Sequence, residues 1–205
     1  IYTLTYIDSI DNTGKINKSV FNKLSSLRQN CINPIVDITN YLMLEQGQPL
    51  HAFDADLLEK LVGRRVIPND FGIRNGKEGE SFVALDNKEY KLNANTKVIT
   101  CDDCPIAIAG VIGGNNSSVS TTTTKIWLEA AVFTPTSIRN SSRELGLRTD
   151  ASSRYEKGIS PNMTMAVSKR ASELISLELG GNIQSNYVNN EFKKSSICVN
   201  LRMEK

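Results

Sequence analysis

The first third of the chain shows blocks of regularly spaced hydrophobic and polar residues. Residues Tyr2–Ile7 alternate between the two classes, which predicts a strand. Between residues 18 and 28, apolar side chains recur every three or four positions, the spacing of an amphipathic helix. Pro34 suits a first helical turn and Gly47 suits a helix end, so a second helix is predicted from Ile35 to Glu45.

The only histidine of the chain follows this second helix. The dipeptide Gln48-Pro49 favours an extended or turn conformation, and we predict that His51 lies in this turn. Asp54 is a suitable N-cap, so a short helix is predicted over residues 55–60.

The middle of the chain, from residue 64 to residue 112, has the pattern of short β-strands. Five strands are predicted: Arg64–Ile67, Ser81–Leu85, Glu89–Leu92, Lys97–Thr100 and Pro105–Ala109. Asp86-Asn87 between two of them indicates a hairpin. Gly110, Gly113 and Gly114 follow the last strand, where glycines allow close approach of a ligand to the backbone.

The remaining segments predict both strands and helices. Apolar residues 126–128 indicate a strand that ends directly before Glu129. Helices are predicted over residues 137–145 and from Ser160-Pro161 to Leu179, the second ending at Gly180-Gly181. Further β-like patterns cover residues 183–188 and 196–201.

Composition is that of a globular protein and excludes few functions. The 205 residues are 40% hydrophobic and 22% charged, and the net charge is only +2. This charge predicts no strong overall attraction to nucleic acid, so any RNA contact would be local. No apolar run approaches the roughly 18–20 residues of a membrane span, and no signal peptide opens the chain. The chain starts within a predicted strand, so we expect a piece excised from a longer polypeptide.

The four cysteines do not predict a metal site. Cys101-Asp-Asp-Cys104 has the spacing of a zinc knuckle, but no second pair or histidine follows at ligand spacing. We therefore expect Cys31, Cys101, Cys104 and Cys198 to be reduced thiols of a cytosolic protein.

Two segments contain side chains that suit catalysis or ligand binding. His51 follows a helix that carries Asp37, Thr39 and Asn40, a combination that favours handling of water, although all four are equally explained as structural or solvent-facing groups. Glu129 is a carboxylate within an apolar run and is costly to bury unless it is paired. It is either a strand-end carboxylate bound to arginine or backbone amides, or an acceptor for a substrate hydroxyl or amine.

A third segment, residues 143–158, is basic and polar. Thr149 to Ser152 precede a helix and could present amides and hydroxyls to a ligand. Contacts from Arg143, Arg148 or Arg154 to phosphate or an RNA end are one interpretation, and a solvated charged face is the other.

Five motifs carry a resemblance to a known family. They are Asn-Pro-Ile-Val-Asp-Ile-Thr-Asn-Tyr at residues 33–41, Gly-Gln-Pro-Leu-His-Ala-Phe-Asp at 47–54, Ile-Ala-Gly-Val-Ile-Gly-Gly at 108–114, Leu-Glu-Ala-Ala-Val-Phe at 128–133 and Arg-Thr-Asp-Ala-Ser-Ser-Arg-Tyr-Glu-Lys-Gly at 148–158. In this order and spacing they resemble the beta subunit of bacterial phenylalanyl-tRNA synthetase, in its third and fourth structural modules. The resemblance implies a mixed α/β (α+β) fold of layered β-sheets with flanking helices. It also implies an editing domain over residues 1–190 and a linker with the start of the next module over residues 191–205.

The resemblance implies proofreading, namely hydrolysis of the ester that joins tyrosine wrongly to phenylalanine tRNA. The residues that match the family's editing site are His51, Asn40 and Thr39 for catalysis, and Glu129, Gly110, Thr149 and Ala151 for substrate binding. Glu129 would accept the phenol proton, so that phenylalanine would leave the carboxylate unpaired. His51 would orient or deprotonate the water, with Asn40 and Thr39 as donors near the oxyanion, or the terminal adenosine's hydroxyl would share this work.

The resemblance also implies the partners. These are phenylalanine tRNA and the alpha subunit in a cytoplasmic heterotetramer, whose alpha subunit performs aminoacylation with ATP and magnesium. No cofactor or metal is expected in this chain. Two alternatives remain: a non-catalytic scaffold or tRNA-binding module of the synthetase, and a free-standing trans-editing hydrolase.

Overall fold

The computed structural model describes residues 1–189 and has a mixed α/β fold, as predicted. The strands are β1 Tyr2–Asp8, β2 Leu50–Asp54, β3 Phe71–Asn75, β4 Ser81–Val83, β5 Glu89–Lys91, β6 Lys97–Cys101, β7 Cys104–Ile108, β8 Ile112–Gly113, β9 Ile126–Ala131 and β10 Asn182–Asn189. The helices are α1 Lys18–Ser26, α2 Pro34–Gln46, α3 Ala55–Val62, α4 Pro135–Glu144, α5 Asp150–Tyr155 and α6 Pro161–Leu179, with 3-10 turns at Pro68–Asp70 and Asn115–Ser117.

The central layer is an antiparallel sheet in the order β10-β1-β9-β2. Strand β9 lies inside it and is buried along its whole length, between β1 on one side and β2 on the other. Because side chains alternate across a strand, one face of this sheet turns towards helices and the other towards a second sheet. The architecture is therefore layered, as predicted.

The helical layer is formed by α1, α2 and α6. Its core contains Ile35, Ile38 and Leu42 from α2, packed with Ala171 and Ile175 of α6 and with the sheet. Apolar positions spaced three or four residues apart explain this packing in α6, where Val167, Ala171 and Ile175 are buried, although Met165 and Leu177 of the same helix are exposed.

On the opposite face, the central sheet packs against the antiparallel sheet β3-β6-β7-β8. Leu4, Phe53 and Trp127 from the first sheet meet Ile99 and Ile106 from the second. A third core joins the β4–β5 hairpin to β7, α4 and α5. The turn after β7 therefore lies between two cores, close to the end of the central sheet.

Helix boundaries follow local chemistry. The Asn33 side chain accepts a hydrogen bond from the Val36 amide, Pro34 occupies the first turn of α2, and Gly47 at φ +75° ends the helix. Asp54 caps α3 by accepting from the Leu57 amide. The predicted starts and ends of α2, α3 and α6 are thus confirmed to within about two residues.

One predicted strand in the middle of the chain is wrong, and one strand was missed. Residues Arg64–Ile67 form no strand; Val66 is buried in the core and Pro68 begins a 3-10 turn. The strand is instead Phe71–Asn75, which pairs with β6. Its glycine and asparagine disfavour a strand locally, so pairing with β6 decides its structure.

Two further predictions about site residues are corrected. His51 lies on strand β2 and not in a turn, because residues 50–54 pair with β9. Glu129 lies within β9 and not at its end, because Ala130 and Ala131 continue the pairing with β1. The short helix α5 was not predicted. The predicted strand at 196–201 and the predicted linker at 191–205 lie outside the described residues.

Candidate functional site

A cavity of about 440 Å³ opens between the end of the central sheet, helix α2, the β7–β8 turn and the start of α5. Its volume is typical of a small-molecule site. All seven residues predicted for the site line this cavity: Thr39, Asn40, His51, Gly110, Glu129, Thr149 and Ala151. Five separate segments of the chain therefore converge on one place.

His51 and Glu129 lie directly opposite each other in the register of β2 and β9, so both side chains leave the sheet on the same face. Glu129 is buried, and its Oε2 has no hydrogen-bond partner in the structure. The Nε2 atom of His51 is likewise buried and unpartnered. The structure thus contradicts the interpretation of Glu129 as a strand-end carboxylate bound to arginine or backbone amides.

Burial moves the pKa values of these two groups in opposite directions. It raises the pKa of the Glu129 carboxyl from 4.5 to about 8, because the charged form loses its hydration. It lowers the pKa of His51 from 6.5 to about 4 for the same reason. Near neutral pH both side chains are therefore mainly uncharged, and the carboxyl retains a proton that it can donate.

The His51 ring is positioned by close packing. It makes an edge-to-face contact with Phe53, with ring centroids 4.6 Å apart. On another side it lies on Gly113, where an added Cβ would stand 2.5 Å from His51 Cε1 and 2.8 Å from Nε2. Gly113 also lines the cavity. It was not among the predicted site residues, although the sequence showed a glycine there.

Helix α2 contributes Thr39 and Asn40 to the cavity wall. The Thr39 hydroxyl donates to the carbonyl of Val36 at 2.8 Å, so its proton is already used and only its lone pairs face a ligand. The predicted role of Thr39 as a donor is therefore not supported. The half-buried Asn40 amide makes no hydrogen bond within residues 1–189, so its N–H groups are free to donate.

The β7–β8 turn and the start of α5 form the opposite wall. Thr149 caps α5 by accepting from the Ser152 amide at 3.1 Å, and its hydroxyl donates to Val111 O at 2.8 Å. This side chain therefore ties the turn to the helix that carries Ala151. Gly110 has φ +67°, and a Cβ there would stand 2.9 Å from Ile138 and 3.0 Å from both Phe133 and Tyr155.

The arginines of the basic segment lie outside the cavity. Arg154 pairs with Asp150 at 3.1 Å, and Arg148 lies 3.7 Å from Glu156. Among residues 1–189, neither a lysine nor an arginine lines the cavity. Contact of Arg143, Arg148 or Arg154 with RNA stays a prediction.

Cys101 and Cys104 lie opposite each other in the β6–β7 hairpin, the first buried and the second exposed, and both are free thiols. Within residues 1–189, histidine, cysteine and acidic side chains form no group of three suited to hold a metal ion. In the same part of the chain, no helix combines the length and apolarity needed to cross a membrane.

Comparison with known proteins places this chain in a family. The model of the B3/4 domain matches residues 1–180. The phenylalanine–tRNA ligase beta subunit of Prochlorococcus marinus strain NATL2A is 81% identical over 205 residues, all of this chain and 25% of that protein. The protein of the same name from Parasynechococcus marenigrum strain WH8102 is 49% identical over 175 residues, 85% of this chain and 22% of the relative. The chain thus spans about a quarter of the length of the relatives that it matches.

Among solved structures, an N-terminal fragment of the phenylalanyl-tRNA synthetase beta subunit from Pyrococcus horikoshii covers 89% of this chain and 46% of its own. Its identity is 11% and its TM-score 0.48. The resemblance stated from the motifs is confirmed by the relatives of that name, and the match over residues 1–180 shows that the chain belongs to the B3/4 domain family.

Proposed function

We propose that this chain is the editing domain of a phenylalanine–tRNA ligase beta subunit and hydrolyses the ester of tyrosine wrongly joined to phenylalanine tRNA. The observation that carries the proposal is the unpartnered Oε2 of Glu129, buried at the wall of the cavity. The relatives' name supports the ligase, and the cavity supports a site for a small ligand group.

Glu129 supplies selection between tyrosine and phenylalanine. The two amino acids differ by one hydroxyl, which an apolar synthetic pocket rejects only about a hundredfold. A phenol that reaches Glu129 pairs with its carboxyl, which both donates and accepts while it is protonated. A phenylalanine ring leaves the same carboxyl buried and unpaired, at a cost of about 1–3 kcal/mol. This difference favours tyrosine by about tenfold to a hundredfold.

His51 and Asn40 serve the hydrolysis. A histidine whose pKa is about 4 is a weak base, so His51 orients the attacking water and does not remove its proton in a separate step. The free Asn40 amide donates to the carbonyl oxygen as negative charge develops on it. Thr39 accepts a hydrogen bond from the water or from the ligand's ammonium group.

The alternative of a non-catalytic scaffold does not explain why Glu129 is buried without a hydrogen-bond partner. A purely structural domain gains nothing from a buried carboxyl without a partner, since an apolar residue of similar size would avoid its desolvation. The remaining partners follow from the proposal: the 3′ end of phenylalanine tRNA enters the cavity, and the alpha subunit performs aminoacylation with ATP and magnesium elsewhere in a cytoplasmic complex.

The test is deacylation of purified tyrosyl- and phenylalanyl-tRNA by the complete ligase that contains this chain. We expect faster hydrolysis of the tyrosyl ester, and loss of this preference by about tenfold to a hundredfold in Glu129→Leu, which removes the group that pairs with the phenol. Glu173→Leu is the matched control, since Glu173 is exposed on α6 and, within residues 1–189, pairs only with Lys169. If the double variant His51→Ala, Glu129→Ala hydrolyses tyrosyl-tRNA at the unaltered rate, the proposed function is wrong.

A further inference from the structure

Three buried side-chain polar atoms of residues 1–189 have no hydrogen-bond partner, and all three belong to the central sheet. They are Tyr2 Oη, His51 Nε2 and Glu129 Oε2. Each buried polar group left without a partner lowers the free energy of unfolding by about 1–3 kcal/mol. Their occurrence together in one sheet therefore indicates that they serve one site. The proposed function uses His51 and Glu129 but leaves the Tyr2 hydroxyl unexplained.

The sheet register places Tyr2 beside Glu129. Leu4 of β1 lies opposite Glu129, and Tyr2, two residues before Leu4, lies opposite Ala131. Residues two apart on a strand share a face, so Tyr2 projects from the same face as Glu129 and His51 and is a diagonal neighbour of Glu129. A long aromatic side chain can span such a diagonal.

The two groups are coupled electrostatically. The pKa of the Tyr2 phenol is raised well above its usual value by burial and then by the negative charge of Glu129. Tyr2 therefore keeps its proton and is a donor. It makes no direct hydrogen bond to Glu129, and it does not line the cavity.

We propose that Tyr2 is a positioning residue of the site, and that its hydroxyl donates through one ordered water to the Glu129 carboxyl. A buried water with two or more polar partners is a common bridge of this kind. Such a donor turns one carboxyl oxygen away from the ligand, leaves the other facing the cavity, and stabilises the ionised form of Glu129. This inference rests on the proposed function, because a positioned Glu129 matters only if Glu129 selects the substrate. The water bridge between Tyr2 and Glu129 can nevertheless be tested separately.

The test compares Tyr2→Phe with the matched control Tyr6→Phe in the complete ligase. Tyr6 lies on the same strand and the same face, packs on Trp127 with ring centroids 4.9 Å apart, and has no unpartnered buried hydroxyl. Tyr2→Phe removes one oxygen and keeps the ring. We expect it to raise the pKa of Glu129 by about one unit. At neutral pH the carboxyl is protonated with or without Tyr2, so we expect kcat/KM for tyrosyl-tRNA deacylation to fall about tenfold because the carboxyl is no longer held in position. Tyr6→Phe should change neither quantity.

Two readouts separate the bridge from the activity. The first is the carboxyl C=O band in infrared pH-difference spectra, taken as ligase minus its Glu129→Gln variant, which reports the titration of Glu129 directly. The second is the pH profile of tyrosyl-tRNA deacylation, corrected for spontaneous ester hydrolysis, whose midpoint should move by the same amount. In the Glu129→Leu background, which has no carboxyl to position, Tyr2→Phe should have no further effect on deacylation, because both act through one group.

The outcomes are distinct. A shift of the Glu129 titration in Tyr2→Phe, and not in Tyr6→Phe, supports the bridge even if the ligase fails to hydrolyse tyrosyl-tRNA, in which case the proposed function alone is wrong. An unmoved titration in a folded Tyr2→Phe ligase overturns the bridge, even if tyrosyl-tRNA is hydrolysed. A tenfold loss that persists in the Glu129→Leu background also overturns it, since Tyr2 would then act only through general stability.

Discussion

His51 and Glu129 face each other across the β2–β9 ladder, each with one buried polar atom that lacks a partner. The pairing brings the only histidine of the chain next to a carboxyl that burial keeps protonated near neutral pH. Their pKa values are shifted in opposite directions, towards about 4 and about 8, so the two residues should impose opposite pH dependences on stability.

Glu129 should destabilise the fold as pH rises. Its folded pKa of about 8 exceeds the unfolded value of 4.5, so its contribution is fully present below about pH 4.5 and is lost as pH rises through 8. The total loss is about 5 kcal/mol at most, since each pH unit between these values costs about 1.4 kcal/mol. Urea unfolding of the chain and of Glu129→Gln over this range should show the difference between them changing with pH. A constant difference would contradict the buried, neutral carboxyl.

His51 should destabilise the fold as pH falls. Its folded pKa of about 4 lies below the unfolded value of 6.5, so its contribution is present above pH 6.5 and is lost as pH falls through 4. The expected loss is about 3 kcal/mol, which His51→Gln should abolish. Unfolding free energies of the chain and this variant, measured between pH 7.5 and about pH 4, provide the check. Equal pH slopes in the two proteins would show that His51 is hydrated and titrates normally.

Gly113→Ala should displace the His51 ring. The added methyl would lie 2.5 Å from Cε1 of His51, and Leu85 Cδ1 at 3.0 Å blocks relief on the other side. We expect a stability loss of about 1–3 kcal/mol from overpacking, and loss of tyrosyl-tRNA deacylation by the ligase with aminoacylation retained.

Gly14→Ala is the control for this prediction, because a Cβ there meets its nearest atom at an ordinary 3.7 Å. A Gly113→Ala ligase that deacylates tyrosyl-tRNA normally would show that the ring position does not matter for hydrolysis.

Ala151→Leu should fill the cavity without unfolding the domain. Ala151 is half-buried on α5 and lines the cavity, and leucine is a good helix former, so the added volume enters the space proposed for the ligand. Tyrosyl-tRNA deacylation should fall at least about tenfold while unfolding free energy changes by less than about 1 kcal/mol. Ala166→Leu, on the exposed side of α6, controls for the substitution itself. Unaltered deacylation in Ala151→Leu would place the ligand elsewhere.

Some of the site was predictable because its signals are local. The Asn33 cap, Pro34 and Gly47 bound α2 through hydrogen bonds and backbone angles that involve only near neighbours. The same holds for Asp54 and α3. The seven candidate residues came from motifs, and the structure places all of them around one cavity.

Other features were missed because they depend on distant partners. The strand Phe71–Asn75 exists through its pairing with β6, against weak local propensity. The packing of His51 on Gly113 requires β8 to lie against the end of the central sheet, which no local pattern shows. The hydrogen bond from the Thr39 hydroxyl to the Val36 carbonyl competes with the predicted donor role of Thr39, and the sequence did not show this contact.

The sequence by itself determined the limits of the helices other than α5, most strands and the identity of the side chains available for chemistry, since these follow from periodicity, capping and composition. Only the tertiary structure decided the charge states of those side chains and their grouping. Burial sets the pKa values of His51 and Glu129, and strand register places Tyr2 beside them. Both effects arise from contacts between residues far apart in the chain, where solvent exclusion and pairing, and not local propensity, control the free energy.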